Sequence, residues 1–153
     1  DEPIVLVYFG DHLPGFSNGM EFFDLLDYPI DANGTPVEQL AVYETPYFIW
    51  QNDSAKNLCG DIKASAAALE LPENGLISSP FLGTTVLELF VPNYESPLHQ
   101  LNGSLRRALP VCAKNIYVDA EGNYTESISE NQQEMVQTLR KWQYYKLFDE
   151  KTP

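Results

Sequence analysis

Pro3-Ile4-Val5-Leu6-Val7-Tyr8-Phe9-Gly10-Asp11-His12-Leu13-Pro14-Gly15 is the stretch on which the reading of this chain turns. Its nearly unbroken apolar run predicts a strand buried on both faces, as inside a parallel sheet. The run stops at Gly10, and two potential metal ligands follow side by side. In open α/β sheets, ligands collect beyond the carboxyl ends of strands, which is where Asp11 and His12 would lie. Neighbouring side chains within a strand point to opposite faces, so the pair could converge only in the turn that follows. Gly10 removes the Cβ that would block a close approach there. Read from these two residues alone, the pair is a metal site or a turn in which an Asp follows a Gly.

The chain has 153 residues, a one-domain length that buries roughly 70% of its unfolded surface. Its composition, 44% hydrophobic and 20% charged, is that of a folded globule and not of a disordered segment. The net charge is −13, from 22 acids against 9 Lys and Arg. That balance excludes a basic footprint for nucleic acid and disfavours adhesion to an anionic membrane surface. No run reaches the ~20 apolar residues that cross a bilayer, and the start lacks a signal-peptide pattern. A central strand so near the first residue predicts that the segment comes from a larger fold. Cys59 and Cys112 lack CxxC spacing, which argues against structural zinc; one disulfide and two buried thiols both remain open. Asn33, Asn52, Asn102 and Asn123 each begin an Asn-x-Ser/Thr sequon.

Other segments carry local signals. Asn18–Asp27, with Met20, Phe22, Phe23, Leu25 and Leu26, predicts a short helix, and Asp31–Pro36 an exposed loop. Pro46 heads a second apolar strand, Tyr47–Trp50, in which Trp50 is expected in the core rather than on a substrate platform. Ala-rich Asp61–Leu71 predicts a helix closed by Pro72 and Asn74-Gly75. Ser79-Pro80 and Ser96-Pro97 are helix starts. The first helix carries Phe81, Leu82, Thr85, Val86, Leu89 and Phe90 on one face; its Gly83 is a cost or a place where another backbone comes near. The second carries the stripe Leu98, Leu101, Leu105 and Leu109. His99 falls off that stripe and reads as a surface histidine rather than a ligand. Arg106 and Arg107 suit the last-turn dipole better than substrate phosphate.

Asn115–Val118 and Tyr124–Glu126 flank a Gly-containing loop and predict a β-hairpin. Ser129 with Gln132 three residues on is a capping box opening the last helix, with Glu130 in its first turn. Met135, Val136, Leu139, Trp142 and Tyr145 would be its buried face. No repeat, low-complexity segment or linker divides the chain.

Three segments, in order, carry a family resemblance: the strand ending in Gly10-Asp11-His12, then Tyr43-Glu44-Thr45-Pro46-Tyr47-Phe48-Ile49-Trp50, then Ser79–Phe90. Together with the ending Trp142-Gln143-Tyr144-Tyr145-Lys146-Leu147-Phe148, they resemble the C-terminal part of sulfatase-like proteins of the alkaline phosphatase superfamily. The lipoteichoic acid synthase and phosphoglycerol transferase branch is nearest, and Gly-Asp-His is the one chemically specific element. The resemblance implies an α/β fragment of a sulfatase-like fold, residues 1–153 lacking the N-terminal catalytic half. A small mixed sheet, formed by strands from Ile4 and Tyr47 and the terminal hairpin at Tyr117, would be covered by three or four helices.

The resemblance further implies that Asp11 and His12 hold a divalent metal, with manganese preferred and zinc or calcium as alternatives. The remaining ligands and the nucleophile would come from the missing N-terminal half, so the segment alone would be inactive. The parent would be a metal-dependent transferase of phosphoglycerol, or a related phospho-group, onto a cell-envelope glycolipid or polymer. It would act on a phospholipid or glycolipid substrate at the extracellular face of a bacterial membrane, anchored through segments outside this sequence. A sulfatase is the alternative in the same superfamily. The rival from another class is a non-catalytic interaction domain in which Asp11 and His12 merely cap a turn.

Overall fold

A computed structural model describes residues 2–15, 21–72, 74–91 and 93–149. The chain forms two compact units, Asp1–Ala64 and Ser65–Pro153. Among the described residues the fold is mixed α/β, with two small antiparallel sheets and no single mixed sheet.

In the first unit, β1 (Val5–Phe9) pairs antiparallel with β2 (Tyr47–Gln51), in a register that sets Leu6 opposite Trp50 and Tyr8 opposite Phe48. This corrects the expectation of a strand buried on both faces of a parallel sheet. The ribbon has two strands, and one face carries Leu6, Tyr8, Phe48 and Trp50, each about half exposed (49–51%). Trp50 therefore lies outside the core, and the rings of Tyr8 and Phe48 stack at 5.2 Å on the same face. The opposite face is better covered, and Gln51 is buried at its end.

Short helices complete the unit: α1 (Glu21–Leu25), α2 (Pro36–Ala41), α3 (Asp53–Cys59) and α4 (Ile62–Ala68), with the unit boundary inside α4. The expected Asn18–Asp27 helix is observed as α1; its first expected residues, Asn18–Met20, lie outside the described residues. The expected loop at Asp31–Pro36 is observed over residues 31–35 and closes on a capping box that opens α2 at Pro36. Thr35 accepts from the Glu38 backbone, Glu38 accepts from Thr35 N–H, and Pro36 takes the first helical position, where its missing N–H costs nothing. Asn52 ties the ribbon to α3: its Oδ1 accepts from Ala55 N–H and Ile4 N–H, and its Nδ2 donates to the Glu2 carbonyl. Gln51 does the same for the next junction, donating to the Gly60 carbonyl while accepting from Ile62 N–H at 2.6 Å.

The second unit is built on α5 (Ser79–Phe90), α6 (Pro97–Ala108) and α7 (Glu130–Tyr144), which runs into a π-helical turn at Tyr145–Asp149. The cap of α5 is Ser78, one residue before the expected Ser79, and its hydroxyl accepts from Cys112 N–H instead of from its own helix. The leucine stripe of α6 packs as expected: Leu105 and Leu109 are buried with Phe81, Val136 and Leu139, and Leu98, Leu101 and Met135 pack against them. Ser129 and Gln132 form the capping box of α7. The aromatic end of α7 departs from expectation, because Tyr145 is exposed, as are Tyr144, Leu147 and Phe148. The expected hairpin forms between β4 (Ile116–Val118) and β5 (Tyr124–Thr125), with Gly122 at φ +83° in its loop. A further strand not read from sequence, β3 (Val111–Ala113), joins β4 through a tight turn with Lys114 at φ +52°.

Candidate metal-binding turn and a buried polar seam

The end of β1 is held by the segment before β2. Gly10 N–H donates to the Pro46 carbonyl at 3.0 Å, and Thr45 Oγ1 donates to the Gly10 carbonyl at 2.8 Å. A Cβ at Gly10 would meet Thr45 Cβ at 3.0 Å, so this exit leaves almost no room for a side chain. The chain then bends, and Asp11 and His12 leave the strand end together. Asp11 Oδ1 accepts from His12 N–H at 2.9 Å, while Asp11 Oδ2 lies 3.6 Å from His12 Nε2. His12 Nδ1 lies 2.7 Å from the Leu13 carbonyl, which can only accept, so Nδ1 carries the proton. The other ring nitrogen, Nε2, is the one that lies beside the Asp11 carboxylate.

A carboxylate oxygen and a ring nitrogen thus lie near each other in water, with the side chains of His12 and Asp11 76% and 85% exposed. A ring nitrogen fixed by donation from its partner nitrogen to a backbone carbonyl is the usual arrangement of a metal-ligating histidine. A separation of 3.6 Å suits two donors each ~2.0–2.2 Å from one cation. The donor set, one carboxylate and one imidazole, fits manganese or zinc better than calcium. Among the described residues, no group of three His, Cys, Asp or Glu side chains gathers around a common point. A metal held at this pair would need further ligands from elsewhere.

No family model, curated protein or solved structure matches this chain.

A second polar constellation lies between α5 and α6, and sequence reasoning missed it. Arg106 lies in the last turn of α6, as expected, but it is also buried: it is 1% exposed, donating from one terminal nitrogen to Glu88 Oε2 at 2.9 Å and from the other to the Leu69 carbonyl at 3.1 Å. Burial lowers the Arg106 pKa, and the Glu88 carboxylate opposes that shift. Arg107 approaches the other Glu88 oxygen at 3.9 Å. Two turns back, His99 is half-buried, edge-on to Tyr94, with Nδ1 2.9 Å from Thr84 Oγ1. Asn102 donates to Thr84 Oγ1 and to the Pro80 carbonyl, so the Thr84 hydroxyl joins α6 at both Asn102 and His99. His99 is thus a partner in a buried network and not a plain surface residue. The available signal was the second stripe on α6, His99, Asn102 and Arg106, beside Thr84 and Glu88 four residues apart on α5.

Neither cysteine is in a disulfide. Burial pushes the Cys112 thiol up to about 12, with Arg140 acting weakly in the other direction, so Cys112 is an apolar wall atom at neutral pH.

Proposed function

We propose that the chain is the C-terminal portion of a sulfatase-like, metal-dependent phosphotransferase, in which Asp11 and His12 contribute two ligands to the catalytic metal. The observation that carries this reading is the convergence of Asp11 Oδ2 and His12 Nε2, with Nδ1 committed to the Leu13 carbonyl. The apolar face of Leu6, Tyr8, Phe48 and Trp50 supports the larger context, because a two-stranded ribbon is marginal by itself and such a face suits cover by further parts of the same domain. When bound, the metal would activate a hydroxyl nucleophile and stabilise charge on a phosphoryl oxygen. This chain's share is to hold the carboxylate and imidazole in register, with Gly10 and Thr45 fixing the exit of the strand.

The preferred reaction is transfer of phosphoglycerol or a related phospho-group to a cell-envelope glycolipid or polymer, at the outer face of a bacterial membrane. Sulfate ester hydrolysis is the alternative with the same metal pair. One observation favours the non-catalytic rival: Asp11 Oδ1 accepts from His12 N–H, which is what a turn-capping Asp does.

Manganese titration of the 153-residue chain, read by paramagnetic broadening of its amide resonances, separates these readings. Broadening centred on residues 10–13 and abolished in both Asp11→Ala and His12→Ala is the expected result. Broadening spread over the acidic surface, unchanged in either variant, overturns the assignment. In the longer enzyme, both substitutions should remove the metal and turnover of aryl phosphate or sulfate esters.

A further inference from the structure

The second unit has an exposed helix end whose composition its own core does not explain. Leu139 is the last buried residue of α7, yet apolar side chains continue past it. Tyr144, Tyr145, Leu147 and Phe148 are 45–61% exposed, where a helix leaving its core is expected to turn polar. Arg140 and Lys141, also exposed, stand one turn before them. Tyr144 follows Arg140, and Tyr145 follows Lys141, at i, i+4 spacing, so each ring shares a helix row with a cation. The rings of Tyr144 and Phe148 lie 4.8 Å apart and extend the first row. Charge is concentrated here too. Residues 140–151 hold four of the chain's 9 Lys and Arg but two of its 22 acids.

We propose that this end of α7 lies in the interface of an anionic lipid bilayer, with its Tyr, Leu and Phe side chains at headgroup depth and Arg140 and Lys141 on lipid phosphates. Two features select a bilayer. Tyr rings have an apolar body and a polar tip and settle where water meets hydrocarbon, and long cationic side chains beside them reach out to the headgroups. The second feature is charge complementarity: a cationic, aromatic end on an acidic chain is drawn to negative lipid while the remainder is held off, which fixes one orientation. The net charge of −13 opposes approach from afar, but charges more than ~8 Å from the lipid are screened at physiological salt. So short a segment reaches headgroup depth and no further. The contact shares no residue with the metal-binding turn and stands without that reading.

Vesicles of phosphatidylglycerol and phosphatidylcholine in equal parts are the probe, mixed with the 153-residue chain and followed by flotation and by amide broadening. Flotation with broadening centred on residues 140–148 is expected, weakening towards ~1 M salt, where the Debye length is ~3 Å. Phosphatidylcholine alone should bind about tenfold more weakly. Lys141 and Leu147 are exposed, so Lys141→Glu and Leu147→Ser should fold normally and each weaken binding about tenfold. The proposal is overturned by no flotation, by equal binding of either variant or of phosphatidylcholine alone, or by broadening centred on Leu6, Tyr8, Phe48 and Trp50 in place of α7. Broadening of residues 140–148 that grows with protein concentration in the absence of lipid assigns this surface to a second copy of the chain, and overturns it as well.

Discussion

Removing the Glu88 carboxylate should destabilise the second unit more than any other single change on the surface of α5. In Glu88→Ala, the Arg106 guanidinium would keep the Leu69 carbonyl and lose its counter-ion, while its Nε already has no hydrogen-bond partner among the described residues. Breaking a buried pair from one side costs ~3–5 kcal/mol, because a charge is left without compensation. The Glu88 side chain is itself 29% exposed, so water reaches that end of the pair and about 3 kcal/mol is the expected figure. With a urea slope of ~2 kcal/mol per M, the unfolding midpoint should fall by roughly 1.5 M. Replacing both partners, as Glu88→Leu with Arg106→Met, should recover most of the loss, since neither charge then has to be desolvated. A midpoint shift below about 0.3 M in Glu88→Ala, on that same urea scale, refutes the reasoning, because Arg106 would then be finding solvent on its own. Gly103 belongs to the same picture: a Cβ there would come within 2.6 Å of Glu88 Oε1, so this helix-interior glycine leaves room for the carboxylate.

Gly83 has the opposite character. Nothing lies within 4 Å of where its Cβ would be, so Gly83→Ala should stabilise the protein by ~0.5–1 kcal/mol in urea unfolding. Ser129→Ala removes the side-chain half of the α7 capping box and should cost about 1 kcal/mol, with lower α7 amide protection in hydrogen exchange. Cys112 titrates near 12 when folded and near 9 when not, so its contribution is complete below pH 9. Above pH 9 the unfolded chain loses this proton while the folded chain keeps it, and stability falls by up to ~1.4 kcal/mol per pH unit. Urea midpoints measured from pH 8 to 10 should show that decline, and Cys112→Ala should flatten it.

How far the sequence could be read depended on the range of the interaction involved. The Ser129–Gln132 box and the hairpin around Gly122 are set by residues within a few positions of each other, and both were legible. The Leu98–Leu109 stripe was legible because its period states which side of a helix is buried. Thr35-Pro36-Val37-Glu38 carried a comparable signal, hidden by the turn residues just before it. The run Val5–Phe9 shows where the information ends. Apolar residues at every position say that both faces can be buried, while the fold decides which face is, and here one side stays half exposed. Arg106 is the converse case: its charge argued for solvent, and only the placement of Glu88 on a different helix makes an interior position tolerable. At the turn after Gly10, sequence placed Asp11 and His12 side by side, but the proton on Nδ1 follows from a carbonyl one residue along.

Asn102 has a practical consequence for how this protein can be produced. It is 5% exposed inside α6, with its amide nitrogen engaged by Thr84 and Pro80, yet it opens an Asn-Gly-Ser sequon. A eukaryotic secretion host adds sugar to the emerging polypeptide before helices dock, when that amide is still accessible. A glycan there could not be accommodated between α5 and α6, so material from such a host should be misassembled and retained. Bacterial expression, or a host strain lacking oligosaccharyltransferase access, avoids the problem; Asn33 and Asn123, both on the outside, would tolerate the modification.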